Sequence, residues 1–169
     1  MDFHELIETH NDFPEKGIKY KDVLPILRSP DNFTCLIEKM SDFDFFKKAD
    51  AIIAIDARGF IFGSGIALKL QKPLVLARKP GKLPGELISS SYELEYGQNT
   101  LCIQKDGIRD FSSFAIVDDL LATGGTVGCV AKLLKSQKKI ITGLAVVVQL
   151  MELQGKSKFD FPTSAILSI

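Results

Sequence analysis

The sequence predicts an α/β domain, residues 1–169, in which helices cover a mostly parallel sheet. Short, continuous apolar runs alternate with helical segments, which is typical of strands that are buried on both faces. A chain of 169 residues has the length of about one domain. No repeat, low-complexity tract or linker divides it. In sheets of this kind, ligands bind beyond the carboxyl ends of the strands.

The first part of the chain predicts few regular elements. Residues 3–9 have the pattern of a short amphipathic helix, and residues 11–21 are rich in turn formers. A longer helix is expected to begin near Pro30, because the hydroxyl of Ser29 can cap a helix and proline is well tolerated in its first turn.

The alternation of strands and helices begins at residue 51. Apolar runs predict buried strands at Ala51–Ile55 and Leu74–Ala77, with the helix Gly59–Leu70 between them. Residues 87–92 and 100–104 predict an antiparallel pair around Gly97. A strand at 115–117, a helix at 125–134 and a long apolar strand at 140–148 complete the pattern.

Charge and cysteine content bound the possible partners. The 21 basic and 21 acidic residues balance, which gives no electrostatic reason to expect nucleic acid or an anionic membrane as partner. Cys35, Cys102 and Cys129 are widely spaced in apolar surroundings and indicate reduced core thiols. No apolar run has the length of a membrane span. We therefore expect a cytoplasmic protein without a membrane segment.

The most informative segment is the apolar run at 114–117 that leads into Asp118 and Asp119 and then into Thr123-Gly124-Gly125-Thr126. A glycine-rich turn that opens a helix presents backbone N–H groups to an anion. The two carboxylates are suited to accept hydrogen bonds from vicinal hydroxyls. The combination predicts a ribose 5-phosphate site, whereas a plain strand-loop-helix connection leaves the adjacent acids unexplained. Neither Gly-x4-Gly-Lys-Ser/Thr nor Gly-x-Gly-x-x-Gly occurs.

This segment resembles the phosphoribosyl diphosphate signature of type I phosphoribosyltransferases, and its wording is most similar to that of the adenine-specific members. Residues 12–22, 56–60 and 78–97 are similar to further segments of that family, in the same order. The resemblance implies the type I phosphoribosyltransferase fold, with an antiparallel lid hairpin and a small amino-terminal hood segment. It also implies a reaction of adenine with 5-phosphoribosyl 1-diphosphate that gives AMP and diphosphate.

The resemblance also assigns roles to residues. Asp118 and Asp119 would hold the ribose hydroxyls. The 5-phosphate would lie on Ala122, Thr123, Gly124, Gly125 and Thr126, and the diphosphate on Arg58, Arg78, Lys79 and Lys82. The peptide between Asp56 and Ala57 is expected to be cis. Mg²⁺ is the expected cofactor, held mainly by the substrate and without an assigned protein ligand.

On the base side, the resemblance places the purine between Tyr20 and Leu150, with the backbone of Lys19 reading its edge. Glu95 matches the lid glutamate that handles a proton at N7, which makes it the expected catalytic acid-base residue. The chain has Tyr20-Lys21 where the family usually has Phe-Arg, and Gln149 near a usual Glu. Another purine base, hypoxanthine, guanine or xanthine, therefore stays open as the substrate.

The sequence also allows other interpretations of these residues and of the function. Arg58 could be a surface salt-bridge partner, residues 78–85 a solvated hairpin connection, and Glu93 and Glu95 solvated strand residues. A regulator that binds phosphoribosyl diphosphate without turnover is a different class of function, although the chain shows no DNA-binding helix pair. His4 and His10 have no Cys or Asp at metal-ligand spacing. The family resemblance implies a homodimer with residues 56–60 near the contact.

Overall fold

The computed structural model describes residues 2–93 and 98–169, with the side chains of all of these except residues 92, 93 and 98. The strands are β1 (Glu8–Asn11), β2 (Lys19–Asp22), β3 (Ala51–Ile55), β4 (Leu74–Ala77), β5 (Leu87–Glu93), β6 (Gln98–Gln104), β7 (Ser113–Leu121), β8 (Ile140–Gln149) and β9 (Thr163–Ser168). The α-helices are α1 (Pro30–Ser41), α2 (Gly59–Leu70), α3 (Lys105–Arg109) and α4 (Gly125–Ser136). Short 3₁₀ turns lie at His4–Leu6, Leu24–Arg28, Asp44–Lys48, Met151–Leu153 and Gly155–Lys158.

A parallel sheet of five strands, in the order β4-β3-β7-β8-β9, forms the centre of the fold. Alternate residues of each strand point to opposite faces. Ile53 and Ile55 pack on one face with α4 and the β5–β6 hairpin. Ile52 packs on the other face with α1 and α2. Helices on both faces explain why the strand sequences are continuously apolar, and the expected α/β class is confirmed.

Several expected elements agree closely with the structure. The strand Ala51–Ile55, the helix Gly59–Leu70 and the strand Leu74–Ala77 have the expected bounds. Ser29 caps α1, since its Oγ accepts a hydrogen bond from the N–H of Asn32 at 3.3 Å. The antiparallel β5–β6 hairpin is also present, and it is attached to the end of β4 through a bridge between Arg78 and Cys102.

The expected helix at residues 3–9 is wrong. Only His4–Leu6 makes a helical turn, and Glu8–Asn11 pairs with Lys19–Asp22 in an antiparallel hairpin. An isolated helix of seven residues is too short to stabilise itself. Pairing with β2 instead supplies the backbone hydrogen bonds of this segment, and Phe3 anchors its start in the core. The turn-rich residues therefore form the loop of a two-stranded hood.

The strand expected at 115–117 is longer in the structure. β7 continues through Asp118 and Asp119 to Leu121, which pairs with Gln149 of β8. The two acids thus lie within the strand rather than after it, because ladder pairing with β8 extends past the apolar run. β9 and α3 were not expected from the sequence. No helix in the described part of the chain is both long and apolar enough to cross a membrane.

Candidate active site

A cleft of about 520 Å³ opens at the carboxyl edge of the sheet. Its walls come from the turn after β3, the end of β7, the start of α4, and Lys79 and Asn99 from the segments beside them. It is lined by Asp56, Ala57, Arg58, Lys79, Asn99, Asp118, Asp119, Leu120, Leu121, Ala122, Thr123, Gly124, Gly125, Thr126 and Val127. Parallel strands bring these loops together because their carboxyl ends meet at one edge.

Asp118 and Asp119 form a buried carboxylate pair at the floor of the cleft. Their exposed fractions are 7% and 6%. The N–H of Asp119 donates to Asp118 Oδ1 at 2.9 Å. Burial, and then the negative charge of Asp119, raise the pKa of Asp118 well above its ordinary value, while Arg58 opposes that rise. The pair therefore has a strong bias against carrying two negative charges.

Arg58 supplies the counter-charge of this pair. Its Nε lies 2.6 Å from Asp119 Oδ2. Among the described residues, no group makes an aligned hydrogen bond to this buried oxygen, so the contact is an ion pair of poor hydrogen-bond geometry. The guanidinium also lies over the ring of Tyr20, with 5.2 Å between Cζ and the ring centroid. Arg58 thus joins the acid pair to the residue expected to hold the base.

The phosphate turn runs from Ala122 into the first turn of α4. Gly124 adopts φ +82°, which favours glycine, and precedes the helix start at Gly125. The residue before the helix, Gly124, has no side chain that could cap it, and the backbone N–H groups at a helix start favour an anion. The sequence expectation and the structure agree on the position of this turn beside the acid pair.

The turn after β3 approaches the acid pair closely. The Asp56–Ala57 peptide is cis, as expected. A Cβ atom added at Gly59 would lie 2.9 Å from Asp118 Oδ1, so only glycine allows this approach without a shift. The N–H of Asp56 donates to the carbonyl of Ala77 at 2.9 Å, which fixes the turn to the end of β4.

The basic residues after β4 are arranged around Asp56. Arg78 Nε lies 3.2 Å from Asp56 Oδ2, and its guanidinium lies over the ring of Phe60, with 5.4 Å between Cζ and the ring centroid. The N–H of Lys79 donates to the same oxygen at 3.4 Å. Lys79 lines the cleft, Arg78 is held at its border, and Lys82 is exposed on the loop and outside the lining. One of the three expected side chains therefore reaches the cleft directly.

The expected base-binding residues are divided between two surfaces. Tyr20 contacts Arg58 and also Phe13, whose ring lies edge-on with 5.1 Å between the centroids. Lys19 and Leu150 line a neighbouring cavity of about 500 Å³ between the hood hairpin and the end of β8. The structure brings Lys19 and Leu150 together, but Tyr20 is not in the lining of that cavity. Glu95, the expected acid-base residue, lies outside the described residues.

Comparison with known proteins assigns a family to this arrangement. Residues 20–164 match the model of a phosphoribosyl transferase domain. The chain belongs to the phosphoribosyltransferase family. It is 62% identical over 159 residues to an adenine phosphoribosyltransferase of Prochlorococcus marinus strain MIT 9215, covering 94% of this chain and 92% of that relative. The relative from strain AS9601 is 59% identical over 165 residues, covering 98% and 97% of the two chains.

Solved structures of phosphoribosyltransferases superpose over the same length. The adenine phosphoribosyltransferase of Thermoanaerobacter pseudethanolicus gives a TM-score of 0.93 at 40% identity and covers 99% of this chain and 98% of that one. The enzyme of Saccharomyces cerevisiae, solved with an imino-altritol bisphosphate and adenine, gives 0.88 at 35% identity, with 98% and 96% covered. These structures share the fold of this phosphoribosyltransferase over nearly its whole length.

The hood of this phosphoribosyltransferase carries a polar cluster that sequence spacing did not indicate. Glu8 lies opposite Asp22 in the β1–β2 hairpin, and His10 is two residues along on the same face. The ligand-type atoms of these residues lie within 4.8 Å of one another. His10 Nε2 and Arg28 Nη1 lie 3.6 and 3.2 Å from the Glu8 carboxylate, so the cluster is internally paired. Only the register of the β1–β2 hairpin, which places Glu8 opposite Asp22, brings these residues together.

Proposed function

We propose that this phosphoribosyltransferase transfers the phosphoribosyl group of 5-phosphoribosyl 1-diphosphate to adenine and releases AMP and diphosphate. The observation that carries this function is a buried acid pair beside a glycine-rich helix start in one cleft. Such a cleft suits a ligand with vicinal hydroxyls at one end and a phosphate at the other. Adenine as acceptor is supported by relatives of that specificity at up to 62% identity.

Asp118 and Asp119 act on the sugar. Cleavage of the anomeric bond builds positive charge on the ribose ring, and a fixed negative charge beneath the ring stabilises it more than it stabilises the neutral sugar. The ribose hydroxyls donate hydrogen bonds to the carboxylates. Since both groups are held within β7, their positions need little reorganisation during the reaction.

The two anionic ends of the substrate bind to different elements. The 5-phosphate lies on the backbone N–H groups of the turn from Ala122 to Thr126, at the start of α4. The departing diphosphate is received by Arg58, Lys79, Arg78 and Lys82. Arg58 must exchange Asp119 for the diphosphate during this step, because its guanidinium contacts the acid pair in the structure. Arg78 and Lys79 share Asp56 as their anchor.

On the base side, Tyr20 and Leu150 flank the purine and the backbone at Lys19 reads its edge. The proximity of Lys19 and Leu150 in one cavity supports this assignment. Once Arg58 turns to the diphosphate, the face of Tyr20 becomes available for stacking. Glu95 handles the proton at N7, an assignment that rests on the family resemblance.

Mg²⁺ fits the chemistry of the cleft as a substrate-borne ion. Carboxylate and diphosphate oxygens are the hard ligands that it prefers. In the described ranges, 2–93 and 98–169, no three His, Cys, Asp or Glu side chains of the cleft bring their ligand atoms within 4.8 Å of one another, so most of the Mg²⁺ ligands would be substrate and water oxygens. An ion bound there would supply positive charge against the leaving diphosphate, beside Arg58 and Lys79.

A two-fold homodimer with residues 56–60 near the contact is part of the proposal. It follows the family resemblance, and sedimentation of a fully active monomer would overturn it. We also propose that the protein is cytoplasmic. Its three cysteines are free, which is compatible with a reducing compartment.

The direct test is incubation with phosphoribosyl diphosphate and Mg²⁺ and with adenine, hypoxanthine, guanine or xanthine, followed by identification of the products. AMP formed from adenine, with the other bases slower by at least about 100-fold, is the expected result, since a site that hydrogen-bonds one base edge rejects others strongly. Preferred turnover of hypoxanthine, guanine or xanthine would show that the protein is a phosphoribosyltransferase for that base instead of adenine. Binding of phosphoribosyl diphosphate without turnover of any purine would indicate a sensor.

A double variant tests the role of the acid pair. Asp118→Asn together with Asp119→Asn keeps the size of both side chains and removes their negative charge. We expect kcat to fall more than phosphoribosyl diphosphate affinity, because the lost interaction strengthens in the transition state. A variant that kept kcat and lost only affinity would contradict the electrostatic role.

A further inference from the structure

The phosphate turn is in contact with a segment far along the chain. Gly155, at the start of the 3₁₀ turn Gly155–Lys158, is buried behind the turn. A Cβ atom added there would overlap the carbonyl oxygen of Ala122 and lie 3.0 Å from the backbone nitrogen of Gly124. Both contacts are to backbone atoms, which cannot rotate away as a flexible side chain can. The two backbones are therefore packed directly against each other.

The contact is also tight when it is examined from Gly124. A Cβ atom added at Gly124 would lie 3.0 Å from Phe159 Cζ and 3.1 Å from the carbonyl oxygen of Gly155. Gly124 is also the residue at φ +82° that turns the chain into α4. The residue that directs the phosphate turn is thus backed by one ring and one carbonyl group.

Further contacts hold the backing segment in place. The rings of Phe159 and Phe161 stack, with centroids 5.0 Å apart and an interplanar angle of 14°. Between them, Asp160 accepts two hydrogen bonds from Lys135 Nζ, at 2.8 and 2.9 Å. Lys135 belongs to α4, whose first turn follows the phosphate turn. The segment is therefore tied to the same helix that it backs.

We propose that Gly155 and Phe159 are positioning residues for the 5-phosphate site. The turn they support contains two consecutive glycines, which lose much conformational freedom when they are ordered. A rigid surface behind the turn holds its carbonyl groups away from the cleft and its N–H groups toward the phosphate. The proposal rests on the proposed function of the turn as the 5-phosphate cradle.

The test compares two ligands that meet different parts of the cleft. In Gly155→Ala, the added methyl group displaces the Ala122 carbonyl. We expect the affinity for ribose 5-phosphate, measured by calorimetry, to fall at least about tenfold, while the affinity for inorganic diphosphate with Mg²⁺ changes less than about twofold. The KM for phosphoribosyl diphosphate should rise with little change in the KM for adenine.

Gly128→Ala is the matched control. Gly128 lies in α4 and also faces Phe159. A Cβ atom added there would lie 4.0 Å from Phe159 Cε1, which is an ordinary van der Waals distance. This variant should bind both ligands as the wild type does. A purely structural role of Gly155 would lower both affinities together with thermal stability, and that result would overturn the proposal, as would wild-type ribose 5-phosphate affinity in folded Gly155→Ala.

Phe159→Leu decides the question if Gly155→Ala does not fold. It removes the ring behind Gly124 without adding atoms, and we expect a roughly threefold to tenfold loss of ribose 5-phosphate affinity with diphosphate affinity retained. Equal loss of both ligands, or no loss of either, contradicts the proposal. Failure of the proposed function is distinguishable, because the wild-type protein itself would then fail to bind ribose 5-phosphate.

Discussion

Replacement of Asp118 by Asn should stabilise the protein at neutral pH while it impairs turnover. Asp118 is 7% exposed beside an equally buried Asp119. Asn has nearly the same shape, and its Oδ1 can keep the 2.9 Å hydrogen bond from the N–H of Asp119. The substitution removes a charge that burial and the neighbouring carboxylate disfavour. The same charge is the one proposed to stabilise the ribosyl cation.

The magnitude follows from simple electrostatics. Two like charges about 5 Å apart repel by about 3 kcal/mol at an effective dielectric constant of about 20. Arg58, with its Nε 2.6 Å from Asp119 Oδ2, already offsets part of this repulsion. We therefore expect a gain on the order of 1–2 kcal/mol in the free energy of unfolding, which for a chain of this size raises Tm by about 2–8 °C.

The gain should depend on pH. The pKa of Asp118 is raised in the folded state above its ordinary value of 3.8, so the folded protein binds more protons at this site than the unfolded chain does. The contribution of Asp118 to stability is thus fully present below 3.8 and is lost as the pH rises through the folded-state pKa. The difference in stability between Asp118→Asn and the wild type should be small in acid and grow toward alkaline pH.

Urea unfolding of both proteins at several values between pH 4 and pH 8 measures this difference. Asp160→Asn is a useful control, because Lys135 lowers the pKa of the exposed Asp160 below 3.8, so the contribution of this residue to stability should stay constant over that pH range. Equal stability of Asp118→Asn and the wild type at pH 8, or a difference that does not change with pH, would refute the reasoning. Initial rates with adenine should show the accompanying loss of kcat.

Three further substitutions test other parts of the structure. Glu95→Gln should lower kcat by at least about tenfold with little change in phosphoribosyl diphosphate affinity, because general acid-base catalysis typically contributes about 10² to 10⁴ in rate. Glu93→Gln, assayed beside it, should be nearly silent, and equal effects of the two would leave Glu95 without a chemical role. Gly63→Ala should destabilise the fold by about 1–3 kcal/mol in urea, since its Cβ would lie 2.5 Å from the Cβ of Ala54, and unchanged stability would contradict the tight packing of α2 on β3. Asp50→Ala should destabilise the protein at pH 7, because Asp50 accepts hydrogen bonds from the N–H groups of Ser112 and Ser113, which lower its pKa. The contribution of Asp50 to stability is present above pH 3.8 and is lost as the pH falls through the folded-state pKa. A destabilisation that persists undiminished in strong acid would contradict this explanation.

The parts of the fold that sequence predicted well are those that local pattern determines. β3 is fully buried, β4 is buried or half-buried along its length, and both strands are uninterrupted apolar runs in the sequence. The helix between them ends where Gln71 takes a left-handed conformation. The hood was mispredicted because its short strands have exposed, polar side chains, and only their pairing stabilises them. Such pairing cannot be read from one segment alone.

The candidate site shows the same division. The acids and the glycine turn are contiguous in sequence, so their chemistry was predictable from spacing. Polar residues within a buried strand break the apolar pattern, which is why the sequence predicts the end of this strand before Asp118 and the structure continues it to Leu121. The contact of Gly155 with Ala122 and Gly124 joins distant segments and depends on the absence of a side chain. No spacing rule points to it.

Arg58 contacts groups of the cleft that a substrate is proposed to contact as well. Its guanidinium lies over the ring of Tyr20 and pairs with Asp119. A ligand that binds to these residues must therefore displace the guanidinium. The measured affinity for phosphoribosyl diphosphate then depends on the free-energy difference between two positions of Arg58, one on Asp119 and Tyr20 and one on the diphosphate. Replacement of Arg58 by alanine would remove a contact with the diphosphate, but it would also remove the cost of breaking the contacts of Arg58 with Asp119 and Tyr20. Its effect on binding should consequently be smaller than the strength of an arginine–diphosphate contact alone would suggest.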